Sequence, residues 1–119
     1  MTDPTNIPEL SIVIPAKNEA NAIAATVTIA LSHFPAAEVV VIDDGSTDDT
    51  GELAREAGAK VIRHPESLGN GAAVKAGARA AQGELLAFMD ADGQHNAAEL
   101  KKLIKRLDEG YQMTIGARD

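Results

Sequence analysis

The sequence predicts an α/β domain, a mainly parallel sheet with helices on both faces. Three observations lead there. Short β-branched runs alternate with segments whose apolar residues recur at helical spacing. One run, Leu85-Leu86-Ala87-Phe88-Met89, is apolar throughout, as strands buried on both faces are, and it ends abruptly in Asp90-Ala91-Asp92. Polar segments follow the predicted strands, and right-handed crossovers would gather those loops at one edge of the sheet.

Each element has its own signal. Leu10 to Pro15 is a β-branched run stopped by proline, which suits a first strand. Asn18-Glu19-Ala20-Asn21 opens a helical segment to about Phe34, with Ile23, Val27, Leu31 and Phe34 near helical spacing. Glu38 to Ile42 is a Val-rich second strand ending in Asp43-Asp44-Gly45-Ser46. Ser46-Thr47-Asp48-Asp49 has the form of an N-cap with an acid after it, starting a helix through about Ala57 that Gly58 ends. Lys60 to Arg63 makes the third strand, Asn70 to Ala81 an Ala-rich third helix, and Glu84 to Met89 the fourth strand. Asn96 to Glu99 has capping-box spacing before the stripe Leu100, Leu103, Ile104 and Leu107; Gly110 closes that helix, and Met113 begins a fifth strand.

Composition bounds the partners. The 119 residues suffice for one domain with a single core, and 45% hydrophobic with 24% charged residues is ordinary for a globular chain. Aromatics are 3% and Trp is absent, so Ala, Val, Ile and Leu must build the core. The net charge of −7 argues against nonspecific nucleic-acid binding, which needs a basic face. It leaves a phosphorylated ligand open, because a divalent cation reverses the local sign. With no Cys, no signal-peptide pattern at the N-terminus and no run long enough to cross a bilayer, the expectation is a soluble cytoplasmic domain.

Two acids with one small residue between them, at the carboxyl end of a buried strand, repel each other unless a cation neutralises them. Asp90 and Asp92 therefore read as oxygen ligands for Mg²⁺ or Mn²⁺ carrying a diphosphate; an acidic turn is the plainer alternative. Asp43 sits where an acid accepts hydrogen bonds from a ribose or base, whereas Ser46, Asp48 and Asp49 read as cap and surface. Leu68-Gly69-Asn70-Gly71 matches no phosphate fingerprint, and close helix–sheet packing through Gly71, Ala72 and Ala76 is the expected reason for its small residues. His33, His64 and His95 share no metal-ligand spacing.

Ser11 to Glu19, Val41 to Ser46 and Asp90 to His95 together resemble the family 2 glycosyltransferases of the GT-A fold, nearest the branch that uses dolichol or polyprenyl phosphate. The resemblance implies that Pro15, Lys17 and Glu19 line a base and ribose pocket and that Val41 and Asp43 hold the nucleoside. It implies that Asp90, Ala91 and Asp92 meet the diphosphate, with Asp92 the direct metal ligand, Gln94 close to the sugar and Arg118 approaching the donor. Lys17, in place of a frequent aromatic, and Gly93, in place of the commoner Leu, depart from the pattern. The implied reaction transfers a sugar from a GDP- or UDP-sugar, with inversion, to an acceptor such as polyprenyl phosphate, using Mg²⁺ or Mn²⁺.

Family members are longer, so residues 1–9 are expected to be a tail and residues 10–119 the nucleotide-sugar-binding part, with the acceptor part absent and no acceptor base in the chain. The full-length protein would then work at the cytoplasmic face of a membrane, and an uncovered sheet edge would favour self-association. Two other readings stay open: a non-catalytic nucleotide-binding domain, and a receiver-type phospho-acceptor domain, which would carry its acid pair after the first strand.

Overall fold

A computed structural model describes residues 9–89 and residue 91 of the chain. Four strands, β1 (Leu10–Ala16), β2 (Glu38–Asp44), β3 (Lys60–His64) and β4 (Leu85–Phe88), alternate with three helices, α1 (Ile23–His33), α2 (Thr50–Glu56) and α3 (Asn70–Ala80). All strand pairs are parallel, in the order β3-β2-β1-β4. This is the expected α/β class. The order also removes the receiver-type reading, whose sheet places β1 between β2 and β3.

The central strands explain the apolar runs. Along β1, Ile12 and Ile14 join Val39 and Val41 of β2 in one core with Ile23, Val27 and Ala30 of α1 and Ala54 of α2. The alternate residues Val13, Val40 and Ile42 face the other way, against Ala73 of α3. Both faces of β1 and β2 are therefore covered, and Ile12, Ile14 and Ile42 are wholly buried, each contributing about 1.5–3 kcal/mol. The register pairs Ile12 with Val39 and Ala16 with Asp43, so β1 and β2 reach the same edge together.

Three expectations need correction. The first helix begins at Ile23, not near Asn18, because Asn18 adopts φ +54° and the main-chain N–H groups of residues 18–20 bond to the loop after β2 and to Thr50 at the start of α2. The second begins at Thr50; Ser46 is buried, and its hydroxyl serves Asn18 N–H instead of capping the helix. The packing of α3 on the sheet uses Ala76, as expected, but its closest approach occurs at Ala73 and Gly77, not Gly71. A Cβ on Gly77 would overlap Val13 Cγ1, whereas one on Gly71 would meet nothing within 4 Å. The predicted helix after Asn96 and the strand from Met113 lie outside the described residues.

Candidate functional site

The chain steps from β1 to β2 to β3 in one direction and then returns to the far side of β1 for β4, with α1 and α2 on one face and α3 on the other. Such a reversal opens a crevice at the carboxyl ends of the strands. A cavity of about 430 Å³ lies there, bordered by Pro15, Ala16, Lys17 and Glu19, by Asp44, by Ser67, Gly69 and Asn70, and by Ala91.

The first wall, the segment after β1, is tied to the loop after β2. Asn18 N–H donates to Ser46 Oγ (2.9 Å), Glu19 N–H to Thr50 Oγ1 (2.9 Å) and Ala20 N–H to Asp48 Oδ2 (3.2 Å). Asn18 Oδ1 accepts from Thr47 N–H (2.8 Å) and Thr47 Oγ1 (3.2 Å). Asp48 in turn accepts from the Thr50 hydroxyl and N–H, bonds that lower its pKa.

The second wall, residues 65–69, hangs on one carboxylate. Asp44 Oδ1 accepts from His64 Nδ1 (2.8 Å) and Leu68 N–H (2.9 Å), and Oδ2 from Ser67 Oγ (2.9 Å) and Gly69 N–H (3.0 Å). Burial pushes the Asp44 pKa up, but the bonds from Leu68, His64, Gly69 and Ser67 outweigh it and hold the carboxyl well below the usual carboxylate range. The wall also packs against Gly45 (φ +77°), where a Cβ would lie 2.5 Å from Ser67 N.

Between the walls sits Ala91, nearly buried, its carbonyl accepting from the buried Thr26 Oγ1 of α1 at 3.2 Å. The same hydroxyl lies 3.0 Å from Ala22 O, so one proton is shared between a helical carbonyl and the segment after β4.

Of the residues predicted for the site, Pro15, Lys17, Glu19 and Ala91 come together at the cleft. Val41 is wholly buried in the core and does not border it. Asp43 is also wholly buried: Oδ1 accepts from Ser46 N–H at 3.1 Å, and Oδ2 has no hydrogen-bond partner among the described residues. Arg63 Nη1 approaches that oxygen at 3.7 Å from a side chain 60% exposed, too solvated to count for much. Asp90, Asp92, Gln94 and Arg118 lie outside the described residues. Ala16, Asp44, Ser67, Gly69, Asn70 and Thr26 were not foreseen as site residues. A usable signal existed for Gly69 and Asn70, a Gly-rich break immediately before a helix; nothing local marks Thr26.

The described residues include no group of three or more His, Asp or Glu able to hold a metal ion, and both Asp44 oxygens are already engaged.

The profile of glycosyl transferase family 2 matches residues 11–119. The chain belongs to this family. Among family relatives, it is 34% identical over 123 residues to the undecaprenyl-phosphate 4-deoxy-4-formamido-L-arabinose transferase of Salmonella choleraesuis, covering 95% of this chain and 38% of that protein. Among solved structures, glucosyl-3-phosphoglycerate synthase of Mycobacterium tuberculosis, in complex with Mn²⁺, UDP-glucose and phosphoglyceric acid, is similar at a TM-score of 0.73 and 28% identity, over 84% of this chain and 39% of that one. A mannosyltransferase of Pyrobaculum calidifontis in complex with GDP-Man and Mn²⁺ gives a TM-score of 0.69 at 28% identity, over 88% and 34%. The fold is thus that of the GT-A nucleotide-sugar transferases. The chain spans half or less of the length of the curated family relatives it matches, from 48% down to 20%.

Proposed function

We propose that this chain is the donor-binding part of a metal-dependent, inverting glycosyltransferase that takes a UDP- or GDP-sugar and delivers the sugar to an acceptor such as polyprenyl phosphate, working at the cytoplasmic face of a membrane. The observation that carries the reading is the meeting of Pro15, Lys17 and Glu19 with Ala91 at one cleft, although they stand far apart in sequence. The relatives support the two halves of the reaction: solved structures hold UDP-glucose or GDP-Man with Mn²⁺, and one relative is named for an undecaprenyl-phosphate acceptor.

In this reading Lys17 and Glu19 bind the nucleoside and phosphate end of the donor from the first wall, and Gly69 and Asn70 close the second. Asp43, wholly buried, would accept a base or ribose N–H or O–H through the oxygen that has no hydrogen bond among the described residues. Asp90 and Asp92 would hold Mg²⁺ or Mn²⁺, with Gln94 and Arg118 toward the sugar and diphosphate. A divalent cation there would stabilise the charge that collects on the departing diphosphate. The acceptor oxygen bonds to the anomeric carbon from the face opposite the leaving group, and the nucleotide diphosphate leaves with the electron pair of the broken C–O bond. An anionic phosphate acceptor needs no base to take a proton.

Thermal unfolding with UDP, GDP and their sugars, each with and without Mn²⁺, tests this. A matching nucleotide at a hundred times its Kd should stabilise the chain by about 2.7 kcal/mol. That gain should require the metal and disappear in Asp92→Ala. Absence of any metal-dependent stabilisation would overturn the reading.

A further inference from the structure

We propose that Asn18 is a positioning residue that sets how Lys17 and Glu19 face the nucleotide, a role that rests on the donor-site reading above. Asn18 is the one non-glycine residue with positive φ among the described residues, at +54°. A glycine would take that conformation without steric cost, whereas an L-residue pays for it; Asn is tolerated because its short polar side chain bonds locally. Here the side chain does more. It reaches across to the loop after β2, where Oδ1 accepts from Thr47 N–H and Oγ1 while the Asn18 N–H donates to Ser46 Oγ.

Asn18 thus grips the neighbouring loop from both backbone and side chain at the point where the chain turns left-handed. The next two N–H groups, of Glu19 and Ala20, continue the same seam to Thr50 and Asp48. The residues on either side of Asn18 border the cleft, and Asn18 does not. Its effect on a ligand therefore passes through Lys17 and Glu19. A glycine would keep the turn and the main-chain bond to Ser46 but lose the side chain's grip on Thr47, which separates the two contributions.

The test compares Asn18→Gly, Thr47→Ala and the unaltered chain by calorimetric titration with UDP and GDP in the presence of Mn²⁺, and by amide hydrogen exchange without ligand. Asn18→Gly should leave the melting temperature unchanged, speed exchange at Glu19 and Ala20 but not at Ile12 to Ile14, and weaken nucleotide binding by about tenfold. Thr47→Ala, which removes only the weaker of the two side-chain bonds, should move both readouts in the same direction by less. Wild-type affinity and wild-type exchange in Asn18→Gly would overturn the proposal. If the unaltered chain binds neither nucleotide, the donor-site reading falls; exchange then decides separately, since acceleration at Glu19 and Ala20 supports the latch and its absence refutes it.

Discussion

Asp44 shows how one side chain shapes this site without facing the solvent. Its two oxygens accept from a histidine, a serine hydroxyl and two main-chain N–H groups, and so fix the whole segment between β3 and α3. Asp44→Ala would leave those donors without their acceptor, and a loss of roughly 2–4 kcal/mol in urea unfolding is expected. The pH dependence follows from the lowered pKa. With the folded value below the ordinary 3.8, the ionised carboxylate's contribution is complete above that value and is lost as pH falls and the unfolded chain takes up the proton first. The urea midpoint should therefore drop on acidification from about pH 5 to pH 3, and the drop should be shallower in Asp44→Asn. Some slope should survive there, because Asp48 is lowered in the same direction.

At the scale of one element, α3 illustrates two glycines with opposite duties. Gly77 faces Val13, and the helix lies so near β1 that a methyl group there has no room. Gly77→Ala is expected to cost about 1–3 kcal/mol in denaturant unfolding through overpacking. Gly71, one turn and a half earlier, has open space around its Cα. Gly71→Ala should stabilise the chain by roughly 0.5–1 kcal/mol, since alanine favours the helix and nothing opposes it. Equal effects from the two substitutions would refute the packing assignment. The small-residue composition of α3 and the packing of Ala76 were legible in the sequence, but not that Gly77 lies against Val13, because small residues also stand at Gly71, Ala72, Ala73 and Ala78.

Taken whole, the molecule is a sheet with a covered centre and a less covered margin. Ile12 to Ile14 and Val39 to Ile42 are buried on both faces, whereas β3 has no buried residue. Native-state hydrogen exchange should find the slowest amides in β1 and β2 and faster ones in β3. Comparable protection across all three strands would contradict that ordering. The same architecture accounts for where a ligand fits, since the two covered strands end together at the reversal of the sheet, and their loops brace each other instead of packing on a core.

The sequence by itself determined the α/β class, the order of the seven described elements and the family. β-branched runs and helical stripes are local signals, and the stretches around Pro15–Glu19, Asp43–Ser46 and Asp90–Asp92 are read residue by residue. It also marked Pro15, Lys17, Glu19 and Ala91, four residues that the fold brings to one cleft. Only the tertiary structure decided that Ser46 serves the neighbouring loop instead of capping a helix, that Val41 is spent on the core, and that Asp44 carries the second wall. The physical reason is the same in each case. A capping serine, a strand valine and a turn aspartate look alike in sequence whatever lies beside them, and what lies beside them here is contributed by residues about twenty to thirty positions away, brought close by the parallel register of β1, β2 and β3.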